Sequence, residues 1–184
     1  MDAFLRQFEI NFVGLNPGIH HFKYHITNTF FEHFEGSLIT EADIRVALKM
    51  EKENSFFQLE FLLSGTVDLP CNRCTKLLHF PVDADFPLVV KLDDRIAGEE
   101  VTGEDFLEED DVWFIPRQEH SLNVAQLIYE YINLSTPEYK VICERMGKKC
   151  DAKMLQKINQ YRIQPNDQPV ADARWDSLKK IKIR

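Results

Sequence analysis

The residues with the clearest chemical potential are four cysteines that form two pairs. Cys71 and Cys74 lie in the stretch CNRC with two residues between them, whereas Cys143 and Cys150 have six residues between them. Four thiolates are the ligand number of a closed tetrahedral zinc site, and the spacing of the first pair is typical of such sites. The second spacing is wider than the usual two to four residues. The sequence therefore predicts a structural zinc site formed by all four cysteines.

Three other uses of these cysteines compete with zinc. The first residues, MDAFLRQFEINFVGL, include charged side chains and do not resemble a secretory signal, so we expect a reducing, cytoplasmic environment that disfavours disulfides. A redox dithiol needs its first cysteine at a helix N-terminus, where the thiol pKa is lowered, but CNRC lies between two strand-like segments. Reduced cysteines with no metal remain an alternative to zinc at this stage.

Charge is distributed unevenly along the chain, whose formal net charge is -8. Ten acidic residues and one arginine lie between Asp93 and Asp111, whereas twelve basic and five acidic residues lie between Lys140 and the end. Both regions are also compatible with plain solvated surfaces. The basic end predicts an anionic partner, and a basic protein could instead dock on the acidic segment. The candidate nucleic-acid contacts are Arg73, Arg145, Lys148, Lys149, Lys153, Lys157, Arg174, Lys179 and Lys180.

Apolar residues alternate with polar ones along three long segments around the first cysteine pair. They run from Ile44 to Met50, from Phe57 to Leu69 and from Leu78 to Leu92. A period of two indicates strands with one buried face, and the short polar connections favour an antiparallel meander. We predict an α+β fold in which the meander forms a curled sheet or a partly open barrel. Gly65, Pro81 and Pro87 mark expected bulges or edge positions.

Shorter elements surround the meander. Alternation around Phe8–Phe12 and Phe22–Ile26 predicts two strands, NTFFEHF a helical turn capped by Asn28 or Thr29, and DVWFIP another strand. The segments SLNVAQLIYEYINL and CDAKMLQKINQY predict C-terminal helices that cover the sheet. With 44% hydrophobic residues, the chain predicts one domain over residues 1–163, followed by a basic tail over residues 164–184.

The sequence contains no recognisable catalytic constellation. It has no glycine-rich phosphate loop, no zinc-protease helix motif and no nucleophile elbow, so we expect a protein that is not an enzyme and has no small-molecule substrate. A zinc-bound water is the weakest alternative, because four cysteine ligands leave no open position for it. No apolar run has the length of a membrane helix, so we expect no membrane partner.

The order of these segments resembles the YceD family, the large ribosomal RNA subunit accumulation proteins, over roughly residues 64–182. The most specific pieces are Cys71, Arg73, Cys74, Glu130, Leu134, Pro137, Cys150, Arg174, Trp175 and Leu178. Two positions depart from the family pattern. This chain reads Asp172-Ala173-Arg174 where many relatives have Asp-Pro-Arg, and relatives have His or Cys at the position of Cys143. Both residues at the latter position are zinc ligands.

The resemblance implies a non-enzymatic factor that supports the accumulation of large-subunit ribosomal RNA. Its expected partner is the RNA precursor or a ribosomal protein. A zinc-stabilised adaptor that docks a basic protein through the acidic segment, without touching RNA, remains the alternative.

Overall fold

Short elements at the N-terminus lead into a long-stranded sheet, and three helices follow it. The computed structural model describes residues 3–93, 112–137 and 141–162. A 3-10 helix at Phe4–Phe8 precedes β1 (Glu9–Asn11), β2 (Gly18–Thr27), α1 (Asn28–Phe31), β3 (Ala42–Lys52), β4 (Phe56–Pro70) and β5 (Leu77–Leu92). After these come β6 (Val112–Ile115), β7 (Ser121–Asn123), α2 (Ala125–Ser135), α3 (Ile142–Arg145) and α4 (Ala152–Tyr161).

Five strands form one sheet in the order β2-β3-β4-β5-β6. All neighbours are antiparallel except β5 and β6, which are parallel. The α+β class and the antiparallel meander are thus confirmed. The sheet is not closed, since β2 and β6 end it without pairing to each other in the described ranges. Within the described residues, β1 and β7 pair in a separate two-stranded sheet.

Alternation along the strands places one face of the sheet in the core. On β3 and β4 every second residue from Ile44 to Met50 and from Phe57 to Leu63 is buried, while their neighbours are mostly exposed. On β5 the burial continues through Leu78, Phe80 and Val82. Phe30 of α1 and Ile128 and Ile132 of α2 belong to the same core. Removing this apolar surface from water is the main stabilising contribution to the fold.

The two prolines of β5 lie where the strand has only one partner among the described residues. Pro81 is opposite Thr66 and Pro87 is opposite Glu60, whereas β6 pairs with β5 only from Val89 onward. A proline cannot donate to a sheet ladder, so an edge is where it is tolerated. The predicted edge positions of both prolines are therefore confirmed.

The C-terminal helices cover the sheet only in part. Tyr131 of α2 stacks on Phe86 with ring centroids 4.4 Å apart, and it meets Phe61 edge-on at 5.1 Å. In contrast, no residue of α4 is buried against the described part of the chain. The predicted helices both exist, but α4 does not act as a cover, because its apolar side chains make too little contact with the sheet.

Two local assignments differ from the sequence predictions. Ser121–Asn123, expected to begin a helix, instead pairs with β1, and α2 begins at Ala125 with its backbone N–H bonded to Asn123 Oδ1 at 2.9 Å. The cap position of α1 is Thr27 rather than Asn28 or Thr29, and its side chain makes no capping bond. Three-residue pairings leave too little periodicity for a sequence pattern to detect.

None of the helices in the described ranges is both long enough and apolar enough to cross a membrane. The acidic segment 94–111 and the predicted tail 164–184 lie outside the described residues, so the domain boundary stays a prediction.

Candidate metal centre

The four cysteine side chains meet at one point, although their two pairs are far apart in sequence. The sulfur atoms of Cys71, Cys74, Cys143 and Cys150 all lie within 4.8 Å of one another. Cys74 Sγ and Cys143 Sγ are 3.6 Å apart. The first three cysteines are buried and Cys150 is partly exposed. Four thiols converging in this way could hold a metal ion.

The turn between β4 and β5 positions the first pair. The N–H of Thr75 donates to the carbonyl of Cys71 at 2.8 Å, and the N–H of Cys71 donates to the carbonyl of Lys76 at 2.9 Å. Thr75 has a φ of +58°, a left-handed conformation that a non-glycine residue adopts only at some cost. The chain therefore doubles back within six residues, which places both sulfur atoms on the same side of the turn.

The second pair frames the end of α3 and the start of α4. Lys148 N–H donates to the carbonyl of Cys143 at 2.7 Å and Gly147 N–H to that of Glu144 at 3.0 Å, which is the hydrogen-bond pattern of a Schellman motif. Gly147 has the positive φ, +64°, that this motif requires. Cys150 comes directly before Asp151, whose carboxylate caps α4 by accepting from Met154 N–H at 2.8 Å.

The four thiols differ strongly in their tendency to ionise. Burial opposes ionisation of Cys71, but hydrogen bonds from backbone groups of Cys143, Cys74 and Arg73 outweigh it and lower the pKa of Cys71 to about 6. Burial, followed by hydrogen bonds to the other thiols, raises the pKa of Cys143 to about 12. Hydrogen bonds from the backbone of Asp151 and Lys76 also lower the pKa of Cys74, whereas burial raises the pKa of Cys150. A cluster with no cation thus favours thiolates at the first cysteine pair and disfavours them at the second, whereas a bound cation favours the thiolate form of every ligand.

The geometry argues against two competing uses of the cysteines, as a disulfide and as a redox dithiol. All four are free thiols in this structure, and the 3.6 Å sulfur separation is far longer than a disulfide bond of about 2.05 Å. Neither Cys71 nor Cys74 lies at a helix N-terminus, since both belong to a turn between strands. The arrangement therefore lacks the helix field on which a thioredoxin-like dithiol depends.

Two arginines connect the parts of the chain that carry the two cysteine pairs. Arg73, inside the first pair, forms an ion pair with Glu144, which follows Cys143. The Arg145 guanidinium lies over the Phe80 ring of β5, 5.7 Å from its centroid. The first interaction joins the β4–β5 turn to the α3 region, and the second joins β5 to it. These two arginines, predicted as nucleic-acid contacts, therefore also have partners within the chain.

The predicted lysines form an exposed strip beside the cluster. Lys148, Lys149, Lys153 and Lys157 are all exposed, and none forms an ion pair with another side chain in the described ranges. A cleft of about 610 Å³ opens next to the sulfur atoms and is lined partly by Lys76 and Lys149. Arg174, Lys179 and Lys180 lie outside the described residues.

Sequence reasoning missed two residues of this region. Glu144 was not assigned a role, yet it is the partner of Arg73. Lys76 was not included among the nucleic-acid contacts, although it lies in the cleft beside Cys74. The position of Lys76, two residues after Cys74, could have indicated that it lies beside the cluster. The ion pair between Arg73 and Glu144 could not be predicted, because residues so distant in sequence show no pattern in a single chain.

Comparison with known proteins gives one match. A family model described as large ribosomal RNA subunit accumulation protein YceD matches residues 59–182, which is about two thirds of the chain and includes all four cysteines. A search of curated proteins finds no match to this chain. A search of solved structures finds none either.

Proposed function

The chain belongs to the YceD family, and from this premise we propose that it is a non-enzymatic ribosome-biogenesis factor that supports the accumulation of large-subunit (23S) ribosomal RNA. In this proposal, the lysine strip beside the thiol cluster contacts the phosphates of precursor RNA. A bound zinc ion fixes the part of the chain that carries the strip. The family description supports the role in RNA accumulation, and the charge around the cluster supports the mode of binding.

Zinc is the metal that suits the donor set best. Thiolates are soft ligands, and Zn²⁺ takes four of them in a tetrahedron with Zn–S distances of about 2.3 Å. Such a tetrahedron has sulfur separations of about 3.8 Å, to which the 3.6 Å between Cys74 and Cys143 is close. The largest separation, within 4.8 Å, requires only a modest contraction of the cluster. Four sulfur ligands fill the coordination sphere, so the ion would be structural.

Charge balance also supports the proposal. Zinc with four thiolates has a net charge of about -2, which nearby cations must offset if the site is buried. Arg73 is paired with Glu144 and also interacts electrostatically with Cys150 and Cys71, so it can offset part of this charge. The lysines of the strip extend into solvent instead. The observation that carries the RNA proposal is this exposed group of lysines on a chain whose net charge is negative.

The proposed mode of binding predicts little sequence preference and strong dependence on salt. Lysine ammonium groups bind phosphates as point charges, and each such interaction releases counterions when it forms. Phosphate contacts position a protein on RNA but do not read its bases. Such a factor would hold or protect a segment of precursor RNA during assembly, without performing a chemical step on it.

The test is neutralisation of the strip in the full-length, zinc-loaded protein. The variant Lys148→Gln, Lys149→Gln, Lys153→Gln should bind large-subunit precursor RNA more weakly. The slope of log affinity against log salt should shrink by about 0.7 to 0.9 for each lysine–phosphate interaction that the substitutions remove. Thermal stability should stay close to that of the wild type, because exposed charges contribute little to folding.

A matched control removes the same charge elsewhere. The variant Arg6→Gln, Lys91→Gln, Arg117→Gln leaves the lysine strip intact and should keep the wild-type salt slope. Zinc content must be measured in both variants, because the strip lysines could instead serve only to offset the metal-thiolate charge. Unchanged RNA binding together with lower zinc retention in the strip variant would reject the proposed RNA-binding role of the strip. Binding of a basic ribosomal protein, with no RNA affinity in any variant, would support the adaptor alternative.

A further inference from the structure

On the face of the large sheet that points away from the core, three central rows of cross-strand neighbours share an order of charges across the strands. In one row of cross-strand neighbours, Lys23 of β2 is opposite Ala47 of β3, Ala47 is opposite Leu62 of β4, and Leu62 is opposite Asp85 of β5. All four residues are exposed, and Leu62 retains 48% of its accessible surface. The row thus runs from a cation through two apolar residues to a carboxylate.

The rows on either side have a related order. Basic or imidazole side chains lie on β2 and β3, while the carboxylates of these rows lie on β4 and β5. One neighbouring row, read from β2 to β5, contains His25, Arg45, Ser64 and Asp83; the other contains His21, Lys49, Glu60 and Pro87. These three central rows are therefore positive towards β2 and negative towards β5. The outer rows place two carboxylates on β3, Asp43 and Glu51, and Asp43 is bonded to His25 of its own chain at 2.8 Å.

We propose that this face binds the same face of a second copy of the chain, related by a two-fold axis that runs parallel to the strands between β3 and β4. Such an axis places β2 of one copy opposite β5 of its partner, and β3 opposite the partner's β4. It keeps each row opposite the same row. Because the charge changes sign from one side of the axis to the other, the face is complementary to itself.

The pairs created by this axis can be read from the strand register. Lys23 faces the partner's Asp85. Lys49, which lies 3.5 Å from Glu60 of its own chain, also faces the partner's Glu60. Leu62 faces the partner's Ala47, whose short side chain leaves room for it. At the neighbouring end of the sheet, a row from Ile19 to Val89 brings these two apolar residues together across the interface. No like charges face each other in these rows.

A two-fold axis perpendicular to the strands gives the opposite result. It would place β2 on β2, so that Lys23 faces the partner's Lys23 and Asp85 faces the partner's Asp85. It would also bring Arg45 opposite the partner's Lys49. Like charges directly opposite each other are destabilising, so the charge pattern selects the parallel axis over this alternative.

The size and shape of the face suit a weak dimer. Four strands and nine residues of each strand cover about 19 Å by about 30 Å, so two copies bury about 1,200 Å² in total. This is at the lower limit of specific interfaces and is consistent with a dissociation constant in the micromolar range. A groove of about 710 Å³, lined by Lys23, Arg45, Ala47, Leu62 and Ser64 among others, lies on the face. Aligned packing of two twisted sheets is a common arrangement.

The experiment is analytical ultracentrifugation of the full-length, zinc-loaded protein between about 1 and 100 µM, a range that brackets such an affinity. We expect a reversible monomer–dimer equilibrium. Lys23→Glu and Asp85→Lys, made separately, should each weaken the dimer about tenfold or more, because each creates two repulsive pairs per dimer. A monomer throughout the range, with zinc bound and the fold intact by circular dichroism, would overturn the proposal.

Combining the Lys23→Glu and Asp85→Lys substitutions gives the decisive readout. An equimolar mixture of the Lys23→Glu and Asp85→Lys proteins should form a heterodimer, because both of its cross-interface pairs are then attractive. The double variant in one chain should also recover the homodimer. Lys23 and Asp85 lie three strands apart, about 14 Å, so they cannot form an ion pair within one chain. Recovery of the dimer in the double variant must therefore come from pairs across the interface.

A control variant separates this face from other surfaces. Lys153→Glu in α4 makes the same change of charge away from the sheet and should leave the dimer unchanged. A dimer that persists in both Lys23→Glu and Asp85→Lys, or that Lys153→Glu disrupts equally, would assign the association to a different surface and overturn the proposal.

Discussion

Removal of the metal from the zinc-loaded protein should melt the helices around the second cysteine pair while leaving the large sheet folded. Helix α4 has 10 residues, none of them buried, and isolated helices shorter than about 12 residues are marginal in water. Met154 is its one side chain packed against the core, and in the zinc-loaded protein Cys150, directly before its cap residue, would add a ligand bond to the cluster. In contrast, the sheet core does not depend on the cluster, because residues such as Phe57 and Phe61 are fully buried by other elements.

The size of the spectroscopic change follows from the helix lengths. Helices α3 and α4 have 4 and 10 residues, against 4 and 11 in α1 and α2. Melting of α3 and α4 should therefore remove about half of the helical ellipticity of the described residues. Ile142 and Cys143 of α3 are buried, so α3 should melt only when the cluster opens. The free energy linked to a structural zinc site is about 10 kcal/mol or more, which exceeds what the packing of α4 can replace.

The assay is chelation monitored by circular dichroism, with hydrogen exchange measured on the peptides that cover residues 141–162 and 56–70. Exchange should become fast in the first region and stay slow in the second. Zinc added back should restore both signals, and Cys71→Ser should behave like Cys150→Ser because each removes one ligand from the same site. An unchanged helical signal after verified removal of all metal would refute this reasoning.

Three further outcomes follow from the fold. Phe61→Ala should lower the free energy of unfolding by about 3 to 5 kcal/mol in denaturant titrations, whereas Leu62→Ala on the other face should cost less than about 1 kcal/mol. Gly65→Ala should cost more than about 2 kcal/mol in the same titrations, since φ is +155° and the added Cβ would lie 2.1 Å from the carbonyl oxygen of Asp43; a smaller loss would mean that the two strands separate easily. Burial raises the pKa of Tyr24 to about 12, so its contribution to stability should be complete below pH 10 and decline as the pH rises towards 12. Tyr24→Phe should remove this decline from alkaline unfolding curves, and an unaltered decline would assign it to other groups.

The long strands were predictable because their pattern repeats. Each of β3, β4 and β5 contains at least four apolar positions with a period of two, which fixes both the strand and its buried face. The cysteine pairs were predictable as a set, since their residue type restricts the chemistry to a few options. Their convergence within 4.8 Å required coordinates, because the sequence contains no information on the path between Cys74 and Cys143.

Other features depend on tertiary contacts that a single sequence does not record. The pairing of β1 with β7 joins Glu9 to Asn123 through strands of only three residues. Parallel pairing of β6 with β5 likewise reflects where the chain returns rather than its local pattern. The ion pair between Arg73 and Glu144 is the same kind of case, as it depends on how the α3 region docks on the β4–β5 turn. In each case tertiary packing decides between local alternatives that have similar propensities.

The thiol cluster links the two most different parts of the described chain. The strands bury a continuous apolar face and are stable by packing, whereas α4 presents lysines to solvent and buries only parts of Met154 and Leu155. A surface rich in exposed lysines cannot also supply the apolar area needed to fix its own position, so it requires another anchor. In the proposed function, a metal held by four sulfur atoms drawn from both parts would provide such an anchor while using little surface. A site with no open coordination position would then still be central to RNA binding, because it would orient the lysine strip without itself touching RNA.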